Sequence, residues 1–258
     1  MTFWVCWIEY VSFLQVKCSY HFRRSRDLMK FDSPLVHGYL LKRYKRFLAD
    51  IRLDDHSIVT AHCTNSGSMK SCLEENADVY LSDSMNPKRK TRYTWEMIKV
   101  NGDWVGVNTV NPNKLAFEII TGNKIPQLSG YTNVKPEVKF GSSRFDFYAE
   151  NESEKCFVEV KNVTLKDGIH ARFPDALTER GQKHLETLIK AREEGFRAVM
   201  LYVIQRSDVE LFSPASDIDL VYSKKLGIAR NRGVEILPLQ VKVTPSGIEP
   251  VRMLEYVI

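Results

Sequence analysis

Short apolar runs broken by polar turns fill the first half of the chain. Residues 39–60 read as strands around a basic stretch, with Ile51, Leu53, Ile58 and Val59 as apolar positions and Asp54-Asp55-His56-Ser57 as the connecting turn. Residues 62–76 are turn-rich and predict a loop with a short helical piece. A strand follows at 79–81, then a charged loop over 83–92. A further strand over 93–100 turns at Asn101-Gly102-Asp103 and returns through 104–107. Turns at this spacing predict a small β-barrel or sheet. The pattern then changes. Residues 113–120 predict a short helix, and 137–140, 144–149 and 156–160 predict three strands. The strongest helix signal covers 174–194. Pro174 suits its first turn, Leu177, Leu185, Leu188 and Ile189 fall mostly on one face, and Gly195 is the stop. A buried strand at 197–205, a helix at 217–232 ending at Gly233, and a last strand at 234–243 complete an α/β pattern. The boundary between the two patterns falls near 105–115.

With 258 residues, 43% hydrophobic and 27% charged, the chain is neither disordered nor a disulfide scaffold, and it can bury a core without staples. The net charge of +5 is modest and unevenly spread: +3 in residues 1–30, +1 in 31–110 and +1 in 111–258. Any anion-binding surface in the body must therefore come from clustering. The cysteines (Cys6, Cys18, Cys63, Cys72 and Cys156) form no CxxC pair, which favours reduced thiols in a cytoplasmic protein over a zinc or redox motif.

Residues 3–16 are strongly apolar, but they are too short for a membrane span and Glu9 interrupts them. Arg23, Arg24 and Arg26 follow the run, the reverse of a signal peptide. Met29 opens a stretch that resembles a natural start. Residues 1–28 therefore read as an extension, either lineage-specific or from a start codon placed too early.

The most informative stretch is Arg144-Phe145-Asp146-Phe147-Tyr148, a polar turn, then Phe157-Val158-Glu159-Val160-Lys161. Strand alternation puts Glu159 and Lys161 on one face, with Val158 and Val160 on the other, and sets Asp146 opposite Phe145 and Phe147. An antiparallel hairpin brings Asp146 close to Glu159 and Lys161. Two carboxylates offer hard oxygen ligands for Mg²⁺ or Mn²⁺, and a lysine beside them can stabilise charge on a phosphate. The bland alternative is a cross-strand salt bridge on a solvated face. Glu137-Val138-Lys139 repeats the triplet but lacks a strand-borne Asp before it, so Glu137 is kept only as an additional ligand candidate. Gln182, on the long helix, is expected to hold water or phosphate beside the carboxylates, with Arg180 or Lys183 toward a nucleic-acid backbone. Gly181 inside that helix hints at close packing. Glu118 is a third metal-ligand candidate.

This order of strand Asp, strand Glu-x-Lys and helix Gln resembles the PD-(D/E)XK, restriction-endonuclease-like nucleases. One departure is that Arg144-Phe145, not proline, precedes Asp146. The body from Met29 onward further resembles the sugar fermentation stimulation (SfsA) family. The runs that carry this are LLKRYKRFLADI (40–51), HCTNSGSMKSC (62–72), KRKTRYTWE (88–96), VNTVNPNKLAFEII (107–120), QLSGY (127–131), SRFDFY (143–148), FVEVKNVTL (157–165) and FPDALTERGQKHL (173–185). The resemblance implies a two-domain α+β or α/β chain: an OB-fold barrel over 29–110 and a nuclease-like mixed-sheet domain over 111–258. It also implies DNA binding and a link to sugar (maltose) utilisation. Catalytic roles are expected of Asp146, Glu159, Lys161 and Gln182, and metal ligation of Asp146, Glu159 and Glu118.

Lys42, Arg43, Lys45 and Arg46 form one basic cluster, with Tyr44 and Phe47 interleaved. Lys88, Arg89, Lys90 and Arg92 form a second, followed by Tyr93 and Trp95. Such groups neutralise phosphates and stack on bases. The polar loop of His62, Asn65, Ser66 and Ser68 could touch phosphate or metal. Two functions are weighed: a Mg²⁺- or Mn²⁺-dependent phosphodiesterase on DNA, single-stranded DNA or RNA, and a non-catalytic DNA-binding regulator of sugar-utilisation genes. No helix-turn-helix favours the second.

Overall fold

The computed structural model describes residues 29–258; the apolar run and the arginines of 1–28 lie outside the described residues. Six strands come first: β1 (Val36–Tyr44), β2 (Leu48–Leu53), β3 (Ile58–His62), β4 (Asp78–Asp83), β5 (Tyr93–Val100) and β6 (Asp103–Gly106). Their order is β3-β2-β1-β4-β5-β6, and a parallel contact of β3 with β5 through Ala61 and Tyr93 closes the first five into a barrel. That closure is the OB-fold. Alternation along β2 buries Ala49, Ile51 and Leu53, which pack with Leu81, Trp95 and Ile98 inside the barrel. In the stretch 62–76, His62 ends β3 and residues 63–76 form turns and bends without a helix.

A linker through Asn108 leads to α1 (Asn111–Thr121). A mixed sheet follows, built from β7 (Asn133–Phe140), β8 (Ser143–Glu150) and β9 (Lys155–Val163). The chain continues through β10 (Leu165–Asp167), β11 (His170–Phe173), α2 (Glu179–Glu193), β12 (Arg197–Ile204), β13 (Leu211–Pro214), α3 (Leu220–Asn231), β14 (Glu235–Thr244), β15 (Gly247–Met253) and β16 (Glu255–Tyr256). The large sheet runs β15-β14-β12-β9-β8-β7, with β9, β12 and β14 parallel and the other pairs antiparallel. A small sheet of β10, β11, β13 and β16 flanks it. One face of the large sheet is covered by α1, whose Leu115, Ala116, Ile119 and Ile120 pack on Val158 and Val160. The other face carries α2 and α3, through Leu185, Leu188, Tyr222 and Leu226. Among the described residues no helix is long and apolar enough to cross a membrane.

The long helix starts later than the 174–194 expected. Thr178 is its N-cap, its hydroxyl accepting from the Gly181 N–H at 3.1 Å, and residues 174–178 form a loop. Leu177, expected on the buried helix face, is 79% exposed in that loop. The strands β10, β11 and β16 have two to four residues each, too short for an alternating pattern to reveal them.

Candidate metal centre and basic cleft

The hairpin of β8 and β9 forms as expected, but its ladder stops at the pair Phe147 and Val158. Beyond that point the Asp146 side chain replaces the ladder. Its Oδ2 accepts from the Val160 N–H at 2.7 Å, and its Oδ1 accepts from Asn113 Nδ2, on α1, at 2.8 Å. Simple alternation breaks here. Phe147 packs in the core under α1, whereas Phe145 packs in the core under α2 and α3. Opposite Asp146 in β7, Glu137 takes a φ of +55°, a left-handed conformation unusual for a non-glycine residue. The kink re-aims Asp146 and separates its two phenylalanine neighbours.

Glu159 is 2% exposed on the α2 side of the sheet. Its Oε1 accepts from Lys161 Nζ at 2.5 Å and from His184 Nδ1 of α2. Lys161 Nζ also lies 3.3 Å from His184 Nδ1. On the other side of the ring, Arg180 Nε donates to His184 Nε2 at 3.4 Å, which fits the tautomer carrying its proton on Nδ1. The second Glu159 oxygen, Oε2, is buried with no hydrogen-bond partner. A buried carboxylate oxygen without a partner is costly unless a cation or donor meets it.

The two carboxyls are pushed in opposite directions. Burial raises the pKa of Asp146, the Glu159 charge raises it further, and the Val160 N–H offsets part of this. Burial also acts to raise Glu159, but the His184 hydrogen bond and the Lys161 charge outweigh it and hold Glu159 below its ordinary value. A cation between the two would relieve the repulsion felt by Asp146. Among the described residues no set of three or more His, Cys, Asp or Glu side chains is placed to hold a metal. A cation here would have two carboxylates, with water, main-chain or phosphate oxygens for the rest, a ligand set that suits Mg²⁺.

The remaining expected residues are distributed differently. Glu118 pairs with Lys124 at 3.4 Å and lines a separate pocket with Glu96 and Asn108, so it does not join Asp146 and Glu159. It lies off the buried stripe of α1, and Asn113 is the α1 residue that reaches Asp146. Glu137 is exposed beside Arg144. Gln182 donates through Nε2 to both Asp219 oxygens at 3.0 Å, so its amide serves the N-cap of α3 instead of the carboxylates. His184 takes the place expected of Gln182. The signal was its spacing: Gly181, His184, Leu185 and Leu188 form the buried stripe of α2, and a polar residue on such a stripe needs a partner.

The basic clusters also divide. Lys45, Arg46, Lys88 and Lys90 are exposed. Lys42 lies 3.5 Å from Asp50, and Arg89 donates to Thr94 Oγ1 at 3.3 Å. Arg92 is held in a bidentate pair with Asp83. Arg43 is turned inward, its Nη2 donating to the carbonyls of Arg46, Asn65 and Gly67 at 2.8–2.9 Å. Trp95 is fully buried in the barrel, its Nε1 bonded to the Met97 carbonyl, so it is not a stacking platform. A cleft of about 480 Å³ lies between the barrel and the mixed-sheet domain. Arg46, Thr64, Asn65 and Ser66 line the barrel side, and Lys161 and Arg180 line the other.

Comparison with known proteins agrees with this architecture. Residues 41–107 match the SfsA N-terminal OB domain, and residues 110–247 match the sugar fermentation stimulation protein RE domain. A sugar fermentation stimulation protein homolog of Geobacter metallireducens is 50% identical over 222 residues, covering 85% of this chain and 96% of that protein. The homolog from Geobacter sulfurreducens is 50% identical over 216 residues, covering 83% and 93%. The structure of Pyrococcus furiosus SfsA in complex with Ca²⁺ superposes with a TM-score of 0.82 at 29% identity, covering 91% of this chain and all of that one. With a carboxylate pair, Glu159 buried and Asp146 half-buried, at the end of a broken hairpin ladder and an OB barrel beside it, this chain belongs to the sugar fermentation stimulation protein family.

Proposed function

We propose that the protein is a cytoplasmic, divalent-metal-dependent phosphodiesterase acting on DNA or RNA, with Asp146 and Glu159 holding Mg²⁺ or Mn²⁺ and Lys161 facing the phosphate. The observation that carries the proposal is the buried, unpartnered Glu159 Oε2 beside a second, half-buried carboxyl, Asp146. The Ca²⁺ in the Pyrococcus furiosus relative supports a divalent-cation site. A bound cation would supply Lewis-acid polarisation of a phosphoryl oxygen and a more acidic water. Lys161 stays on its strand through the β9–β12 ladder, where it pairs with Tyr202, and its ammonium is anchored by Glu159. Anchored this way, it can donate to developing negative charge without reorganising. Asn113 and the Val160 N–H fix the orientation of Asp146. His184 fixes Glu159, and Arg180 fixes His184. Free thiols at Cys63, Cys72 and Cys156 fit a reducing compartment.

The test is cleavage of end-labelled single- and double-stranded DNA and RNA by full-length protein in Mg²⁺, Mn²⁺ or EDTA. Cleavage in either metal and none in EDTA is expected. Binding without cleavage in every metal would overturn the proposal in favour of a DNA-binding regulator.

A further inference from the structure

The cleft between the barrel and the mixed-sheet domain is built from both halves of the chain. Its barrel wall is the Arg46 turn and the loop carrying Thr64, Asn65 and Ser66; its opposite wall includes Lys161, Arg180 and the first turn of α2. We infer that this cleft binds a single nucleic-acid strand next to the carboxylate pair, with Arg46 and Arg180 each meeting a backbone phosphate from opposite domains. The inference rests on the proposed phosphodiesterase for the chemistry and adds the class of substrate and its path.

Three observations carry it. First, the barrel wall is pre-organised. The Arg43 guanidinium ties the Arg46 turn to the 65–67 loop through three carbonyls. Thr64 holds the interdomain linker by accepting from the Thr109 N–H at 2.9 Å and donating to Asn108 at 3.2 Å. A side chain as charged as Arg43 spent on backbone carbonyls, with its Nε buried and unpartnered, fixes a surface that must keep its shape. Second, the charges left over point the right way. The other cleft arginine, Arg172, is neutralised by Asp167 and Asp217. Among the described residues Arg46 has no ion pair, and Arg180 donates to the Nε2 of His184 and has no ion pair. The one cleft acid, Asp175, accepts from the Met69 N–H at 3.4 Å, where Gly67 leaves no room for a side chain. Third, the size fits. About 480 Å³ is the scale of small-ligand sites, on the order of 300–1,000 Å³, and accommodates nucleotide units. Leu177 at the rim, 79% exposed, offers an unpaired base an apolar face.

The experiment measures binding of a labelled twelve-nucleotide single strand, and of the same sequence as duplex, by fluorescence anisotropy in EDTA. The proteins are wild type, Arg46→Gln, Arg180→Gln and the charge control Lys224→Gln, all checked for an unchanged melting temperature. Losing a charged contact to phosphate is expected to weaken single-strand binding about tenfold in each of the two cleft variants, with a shallower salt dependence, and to leave Lys224→Gln at wild-type affinity. Duplex should bind more weakly than the single strand. Wild-type affinity in both cleft variants, or tighter binding of duplex, would overturn the inference. The assay contains no metal, so loss of binding in the cleft variants upholds the strand path even if cleavage is never found.

Discussion

Replacing Asp208 by Asn should destabilise the protein at the seam between its domains, by an amount that depends on pH in a defined direction. Arg206 is fully buried. Its Nε donates to Asp208 Oδ1 at 2.6 Å and its Nη2 to Oδ2 at 2.9 Å. Lys166 Nζ adds a contact to Oδ2 at 2.6 Å. The remaining nitrogen, Nη1, reaches the Thr164 carbonyl at 2.7 Å and Ser71 Oγ, from the barrel loop, at 3.2 Å. Removing one partner of a buried pair costs about 3–5 kcal/mol, and the slight exposure of Asp208 argues for the low end, about 3 kcal/mol. For a chain of this size that is roughly a 6–12 °C fall in melting temperature. Burial acts to raise the pKa of Asp208, but the hydrogen bonds from Arg206 and Lys166 outweigh it and hold the carboxyl well below its ordinary value. A folded value below the unfolded one means the stabilisation is complete above the unfolded value, about 3.9, and fades as pH falls through the folded value. Urea unfolding of wild type and Asp208→Asn from pH 7 down to pH 3 reads this directly. The gap should hold constant down to about pH 5 and shrink below about pH 4. A gap under about 0.5 kcal/mol at pH 7, the size of an ordinary surface change, or one that widens in acid, would refute the reasoning.

Gly181→Ala should lower the melting temperature, although alanine gains about 1 kcal/mol of helix propensity over glycine. The added Cβ would sit 2.8 Å from Thr178 Oγ1 and 3.2 Å from Tyr222, so it displaces the cap; a raised melting temperature would contradict this. His184→Ala should weaken Mn²⁺ binding, read by calorimetry, by about 10–100-fold, because Glu159 loses the group that orients it. His184→Asn, which keeps a donor on the same side, should recover part of that loss, and wild-type affinity in His184→Ala would remove the positioning role.

How much of this was legible in the sequence follows from which interactions are local. The Glu159 and Lys161 pair was visible, because strand alternation alone puts both on one face and β9 keeps its alternation. Asp146 was visible as a residue but not in its surroundings. The kink that sends Phe145 and Phe147 to different cores depends on Glu137 in the neighbouring strand and on Asn113 in α1, both distant in sequence. On α2 the motif order points to Gln182, whereas the phase of the helix, with Gly181, His184, Leu185 and Leu188 on its buried stripe, brings His184 to Glu159. The basic clusters were legible as charged turns, but not which of their arginines are already held. Arg43 and Arg92 are held by a carbonyl cage and a carboxylate that no local pattern encodes.

The most direct measurement is the single-turnover cleavage rate of a labelled single strand in saturating Mn²⁺, comparing wild type with Glu159→Ala and Lys161→Ala prepared side by side. Loss of a preorganised charge at the reacting phosphate predicts a fall of about 100-fold or more in Lys161→Ala, and at least as much in Glu159→Ala, at protein concentrations that saturate the strand. Cleavage by either variant within a few-fold of wild type would contradict the assignment of the carboxylate–lysine site.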